Sequence, residues 1–461
     1  MLSALFFKYK YHYSVSLKLA IPIIISQLGH ILVGMADSII IGHTNSAALA
    51  ACAISNSIFG IFMVTGIGIS YGLTPLISQE YGRKNFKLCG NLLSDSLWIN
   101  MITGVMLYVL LELSMRFAYH LNQPEEVIGQ AIIYTKYLAL SIIPLMIYLT
   151  FKQFTEGLGL TKQSMNITIA GNVVNIVLGV VLVFGLFGVK PMGIAGIGIS
   201  TLVDRILMAI AMALYAFLGK KTQPFIANFK LKSFSWANTK NILKIGMPMS
   251  LLYIFEFGAF SISMIMSGWI NTTSQAAMQI AINAANPSYM IASGLGSAAT
   301  VKAGNYYGAG NMKHLRLSGL SSYHLVIFFL CVYTIVFIII RNYIPLIYVN
   351  SSDTDVIALA SQLLLVSGAF LIFDGIQVVG TGILRGMGDV LIPTFYNFIA
   401  YFVCGVPIGY LLCFTFNLGA VGILLGLLIG LILSSLFLYL RFNYKTKKLL
   451  YNHFHTKKIY T

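Results

Sequence analysis

Residues 246–269 read GMPMSLLYIFEFGAFSISMIMSGW. Wound as a helix, this stretch is about 36 Å long, enough to cross a hydrocarbon core of about 30 Å. A single charge, Glu256, stands near its middle. A carboxylate at that depth is costly and is read as a functional residue by default. The stretch has a counterpart 226 residues earlier: Leu17, Lys18, Pro22, Gly42 and Asn45 fall, without a gap, on Leu243, Lys244, Pro248, Gly268 and Asn271. The counterpart also carries one deep acid, Asp37, at a different height.

The surrounding chain fits a membrane setting. Of 461 residues, 58% are hydrophobic and only 9% charged, a composition that excludes a soluble globular protein. Apolar runs long enough to span a bilayer recur twelve times, at 16–42, 48–75, 88–113, 129–151, 163–187, 192–218, 241–268, 276–300, 316–340, 357–384, 391–415 and 418–441. The runs are long and continuous rather than short and alternating, which excludes a transmembrane barrel. The expected fold is therefore an all-α membrane protein of twelve transmembrane helices.

The net charge of +16 does not point to nucleic acid, because the charges follow topology. With both termini inside, twenty-three of the twenty-nine Lys and Arg fall in cytoplasmic segments and four (Arg116, Lys136, Lys190 and Arg341) in outer ones. That bias orients the chain by the positive-inside rule and adds some attraction to anionic lipid. The five cysteines lie in or beside apolar spans without metal-ligand spacing, and their odd number argues against a disulfide framework. Leu2 to Phe7 is too short for the apolar core of a signal peptide, so the first span is expected to direct insertion.

The second half of each lobe repeats at an offset of 229: Glu156-Gly157-Leu158-Gly159 falls on Arg385-Gly386-Met387-Gly388, and Gly193 on Gly422. Near the end of the second span, Tyr81-Gly82-Arg83-Lys84-Asn85 matches Tyr307-Gly308-Ala309-Gly310-Asn311, and Thr74 matches Thr300. The shared pattern reads as a helix stop followed by a turn. Both halves run in the same direction, giving two parallel-repeat six-helix bundles. The boundaries read as an N-lobe at 1–219, a basic and aromatic cytoplasmic linker at 220–240, a C-lobe at 241–444 and a basic tail at 445–461.

Polar residues gather on particular helical faces. Gln27, His30, Gly34 and Asp37 share one face of the first span. For His30, a hydrogen-bonded interior histidine and a proton-handling one both stay open. Span five carries Asn172 and Asn175; span six carries Thr201 and then Asp204-Arg205, a pair that reads as neutralising itself. Span seven aligns Tyr253, Glu256, Phe260 and Ser263. Span eight aligns Gln279, Asn283 and Asn286, and span ten Asp374, Gln377 and Thr381. Lone amides in membrane helices often serve as interhelical glue. Stripes that include a carboxylate are harder to explain that way. Lys152, near the cytoplasmic end of span four, is placed to snorkel.

These residues resemble the multidrug and toxic compound extrusion (MATE) family, in its NorM-type branch, from Leu17 to Arg441. The resemblance is carried by Pro22 with Asp37, Gly66-Ile67-Gly68 leading to Tyr81-Gly82, and Glu156-Gly157-Leu158-Gly159. It continues through Asn175 with Phe184-Gly185, Glu256, and Asp374 with Arg385-Gly386-Met387-Gly388-Asp389. It implies two six-helix bundles in a V, exporting cationic amphipathic compounds in exchange for Na⁺ or H⁺. By position, Asp37, Asn175 and Thr201 look like an N-lobe cation or proton constellation, and Glu256 with Asp374 like a C-lobe Na⁺ site. Gln27, His30, Tyr253, Gln279, Asn283, Asn286 and Gln377 are the candidates for lining the substrate cavity. Two positions depart from the family pattern: Gly179, where many members carry a second Asn or Asp, and Phe370, where some carry Tyr.

A carboxylate that can hold an ion, a proton or an organic cation, but one at a time, yields exchange by competition. No cofactor is expected beyond the coupling ion. Membrane lipid is the expected surrounding partner, and a two-lobed monomer suffices, in a bacterial inner membrane. Two other readings remain. A lipid or glycolipid flippase of the same broad superfamily would need a basic central cavity, whereas the intramembrane charges here are mainly acidic. A membrane-embedded prenyl-group transferase would need Asp-rich metal clusters or a Cys/His constellation, which the sequence lacks.

Overall fold

The structure, a computed structural model, describes residues 2–116, 124–231 and 234–459. Lys232 of the linker lies outside the described residues. The described chain is helical throughout, with α1 Leu2–Gly42, α2 Ser46–Gly82, α3 Phe86–Met115, α4 Glu125–Gly157, α5 Thr161–Phe184 and α6 Ile194–Leu218. The second half supplies α7 Trp236–Ile270, α8 Thr272–Gly308, α9 Met312–Ile339, α10 Thr354–Gly386, α11 Leu391–Thr415 and α12 Gly419–Ile459. These are the twelve helices read from the apolar runs. A turn at Tyr71–Gly72 interrupts α2, and α11 is π-wound at Ile399–Gly405 and Leu411–Thr415.

Eleven of the twelve are long and apolar enough to cross a membrane. The exception is α8, long enough at 37 residues but interrupted by Gln275, Gln279, Asn283, Asn286, Lys302 and Asn305. A helix polar at this length is stable in a bilayer only where other helices cover its polar groups. Gly294, Gly296, Lys302 and Gly304 of α8 are buried, whereas Gln275, Gln279 and Asn286 are exposed.

The sequence repeat is also a repeat of local geometry. Asn45 caps α2 by accepting from the Ala48 N–H at 2.6 Å, and Asn271 caps α8 by accepting from the Ser274 N–H at 2.7 Å. At the end of α2, the Asn85 N–H donates to the Glu80 carbonyl at 2.9 Å, and at the end of α8 the Asn311 N–H donates to the Tyr306 carbonyl at 2.9 Å. Both are six-residue closures of a helix C-terminus. The left-handed residue each needs is Lys84 (φ 61°) in one copy and Gly310 (φ 69°) in the other. Thr74 sits against Gln153 of α4, Oγ1 to Oε1 at 2.6 Å; its repeat, Thr300, donates to the Gly382 carbonyl of α10 at 2.9 Å. Long-range contacts thus recur along with the residues that make them.

Two compact units divide the chain: residues 25–250, the N unit, and residues 1–24 with 251–461, the C unit. The two boundaries, after Ile24 and after Ser250, stand 226 residues apart, the same interval as the repeat. Each follows two residues after a proline inside a helix, Pro22 in α1 and Pro248 in α7. Proline lacks the N–H that would close the turn behind it, so both helices change unit where their backbone ladder is already interrupted. The N unit's core includes Leu73, Ile77, Leu93, Leu111, Ile142 and Phe154. In the C unit, one cluster centres on Leu363, Leu364, Tyr401 and Leu431, and a second on Leu295, Ile383, Leu384 and Phe442.

The linker is fastened to one face of α3. Phe229 and Phe225 lie over Gly90, where a Cβ would come within 2.9 Å of the Phe229 nitrogen. Ser94 donates to the Lys230 carbonyl and Trp98 Nε1 to the Leu231 carbonyl, each at 2.8 Å. Asp95 accepts from the Ser235 N–H and from Asn238 Nδ2, both at 2.9 Å, and so fixes the start of α7.

Candidate functional site

In the C unit, α7 and α10 each contribute one deep acid. Glu256 is 7% exposed and Asp374 4% exposed. The two carboxylates interact electrostatically, and Asp374 Oδ1 has no hydrogen-bond partner. Sequence alone did not reveal a third member. Tyr401, on the π-wound part of α11, is fully buried with an unpartnered hydroxyl, and it interacts with both acids. A π-turn advances the chain by more residues than an α-turn and is often found at functional sites.

Phe370, one turn before Asp374, packs against Phe260, one turn after Glu256, and supplies no oxygen. It is 5% exposed and meets Phe260 edge to face, with ring centroids 5.8 Å apart. The position that would hold a tyrosine hydroxyl in the resembling pattern is therefore an apolar aromatic contact. Tyr401, on another helix, is a buried phenol that interacts electrostatically with the same two acids.

A cavity of about 20 Å³, room for a single water, lies within the C unit and is lined by Tyr253, Glu256, Ser293, Gln377, Thr381 and Arg385 among others. Gln377 Oε1 and Thr381 Oγ1 are buried without partners. Arg385 closes the far end, donating from Nε and Nη2 to Thr300 Oγ1 at 3.2 and 2.9 Å. Tyr253 and Gln377 thus join Glu256, as their shared stripes suggest. Gln279 and Asn283 instead bond to each other along α8 at 2.9 Å, and neither they nor the exposed Asn286 line this cavity.

In the N unit, Asp37 of α1 is 7% exposed and its Oδ1 has no partner. Asn175 of α5 is 1% exposed, and its Nδ2 donates to Thr201 Oγ1 of α6 at 3.4 Å. The register of α1 on α5 is set by two contacts. A Cβ on Gly29 would meet Asn172 Nδ2 at 2.5 Å, and one on Gly179 would lie 3.7 Å from Ile40 Cδ1. In sequence, Asp37 falls between these two contact points of α1. The space beside Gly179 is taken by Ile197 and Ser200, at 3.2 and 3.5 Å from the same Cβ position. Gln27 is half-buried and His30 exposed on α1.

Two expectations are modified. Asp204 and Arg205 attract each other but form no direct ion pair among the described residues: consecutive residues project about 100° apart on a helix, and these two meet different neighbours. Asp204 faces Gly171 of α5, whereas Arg205 bonds Ser141 of α4 and lies 4.9 Å from the Phe59 ring centroid. Lys152 does not snorkel. It is 5% exposed and lies 4.0 Å from Glu156.

Two oxygen-rich acid sites, one per unit, on a parallel repeat of membrane helices, have clear relatives. The fold matches the solved structure described as a eukaryotic MATE transporter, AtDTX14, with a TM-score of 0.85 at 19% identity over 96% of this chain and 99% of that one. Two proteins named as probable multidrug resistance protein NorM are similar along most of their length. The one from Mesorhizobium japonicum is 28% identical over 90% of each chain, and the one from Xanthomonas campestris 29% identical over 94% of each. The MatE family model matches residues 22–181 and again 248–411. Both matches begin on the repeated proline, Pro22 and Pro248, so the repeat found in the sequence is the family's own unit, present twice; the chain belongs to the MatE family.

Proposed function

We propose that this protein is a secondary active multidrug efflux transporter that exports cationic amphipathic compounds in exchange for Na⁺. The observation that carries the reading is the pair Glu256 and Asp374, buried on two helices with Tyr401 beside them and oxygens left unpartnered. Two like charges held together in an apolar site need a shared cation or a proton. An organic cation drawn to the same charge competes with that ion, and competition for one site is the simplest form of exchange. The names of the NorM relatives support multidrug export as the transport reaction. Gln27, His30 and Tyr253 are proposed to meet substrate, and Gln377 to serve the ion. Both termini and the linker are proposed to lie in the cytoplasm of a bacterial inner membrane, on the strength of the charge bias.

The test is drug efflux from proteoliposomes under an imposed Na⁺ gradient and, separately, an imposed pH gradient. The expected result is efflux driven by inward-directed Na⁺. Efflux driven by the pH gradient alone would replace Na⁺ by H⁺ as the coupling ion. Lipid flipping without drug movement would favour the flippase reading instead.

A further inference from the structure

The N unit holds a second deep carboxylate that the family resemblance does not assign. Asp204 of α6 is 5% exposed, and its Oδ1 has no hydrogen-bond partner among the described residues. Its place is prepared by Gly171 of α5, where a Cβ would stand 2.4 Å from that oxygen. One turn further along the same two helices, Asn175 meets Thr201 at 3.4 Å. The two contacts stack along the α5–α6 seam, and α1 runs beside α5 with Asp37 between its contacts at Asn172 and Gly179. Asp37 and Asp204 interact electrostatically.

We infer that Asp204 is the second carboxylate ligand of a Na⁺ site formed with Asp37, Asn175 and Thr201. Three buried acceptor oxygens, Asp37 Oδ1, Asp204 Oδ1 and Asn175 Oδ1, are unpartnered, and buried acceptors are rarely left so. One proton satisfies one or two of them, whereas a hard cation takes several oxygen ligands. The charge balance fits a monovalent ion. Arg205, turned toward Ser141 and Phe59, attracts both acids without bonding to either. Two carboxylates and one guanidinium leave a net charge of minus one. Asp204 also accounts for Gly179: the oxygen absent from α5 is supplied by α6.

The inference rests on the ion-coupled reading of the chain but is tested without transport. Radioactive Na⁺ binding is measured at one fixed pH on the purified full-length protein in detergent. Glu256→Gln with Asp374→Asn forms the parent, so that the C-unit acids do not contribute. The parent is expected to bind Na⁺, Asp204→Asn to weaken that binding tenfold or more, Asp37→Asn to do the same, and the two together to abolish it. Gly171→Ala, which keeps the carboxylate but pushes it aside, is expected to weaken binding too, and it decides the matter if Asp204→Asn does not fold. Parent-like Na⁺ affinity in Asp204→Asn, or no Na⁺ binding by the parent, overturns the assignment. Na⁺ binding that depends on Asp204 in a protein that moves no drug in liposomes would sink the efflux reading and leave this one standing.

Discussion

Around Glu256 and Asp374 the ligand chemistry is split between two aromatic positions. Phe370 packs against Phe260, and the buried Tyr401 interacts electrostatically with both acids. In a Na⁺ titration of drug efflux at fixed pH, Glu256→Gln and Asp374→Asn are each expected to remove the Na⁺ response. Tyr401→Phe should keep the response but raise the half-saturating Na⁺ concentration about three- to tenfold, the size of one hydrogen-bond-strength contact. An unchanged curve for Tyr401→Phe would reduce that residue to packing. Lower pH should shift the wild-type curve to higher Na⁺, because protonating either acid removes ligand charge. Asp37→Asn is expected to lower efflux at matched expression with the fold intact; wild-type efflux would make Asp37 structural. The carboxylates were legible in the sequence because a charge in an apolar run is conspicuous. Tyr401 was not, since its span is rich in aromatic residues and π-winding leaves no mark in residue spacing. Asp204 was hidden by adjacency: beside Arg205 in the chain it looked neutralised, and only the helix turn separates them.

The helices themselves were the most legible part of the chain, because each long apolar run has one way to satisfy its backbone in lipid. α8 shows the limit of that argument, since its polar residues leave it less apolar than the other eleven. It meets α10 backbone to backbone: a Cβ on Gly382 would stand 2.3 Å from the Gly296 carbonyl oxygen. Gly382→Ala is expected to destabilise the C unit by about 1–3 kcal/mol through overpacking, read as a lower thermal midpoint in detergent. Gly34→Ala, with nothing within 4 Å of the new Cβ, should leave the midpoint unchanged. Equal midpoints for the two variants would mean the α8–α10 seam yields freely. Asp95 had no role that sequence could suggest, because the groups it holds, Ser235 and Asn238, lie 140 and 143 residues away. Such a tether is a tertiary fact with no local signature.

If both units bind Na⁺, the energetics of export change. One Na⁺ entering down a tenfold gradient releases about 1.4 kcal/mol, and a membrane potential of ~100 mV adds about 2.3. A departing monovalent cation works against the same potential, so one-for-one exchange sustains roughly a tenfold drug gradient. Two ions per cation leave about 5 kcal/mol, enough for a gradient of several thousandfold. The steady-state drug ratio in liposomes clamped at these values therefore reports the stoichiometry, and Asp204→Asn should lower it toward the one-ion limit. For orientation, a cysteine introduced at Lys232 is expected to react with impermeant reagents only from the cytoplasmic side; labelling from outside intact cells would invert the topology. The exchange of half-helices between units has a consequence in time. The chain up to Ile24 is made more than two hundred residues before the segment from Leu251 onward with which it forms one unit. At ribosomal speeds of roughly 5–20 residues per second, the first half of α1 waits on the order of ten seconds or longer in the membrane without the rest of its unit. The N unit, for its part, is completed only when the opening turns of α7 emerge. Neither half of the gene encodes a whole unit, so biogenesis ends with a late closure in which the beginning of the polypeptide is claimed by its end.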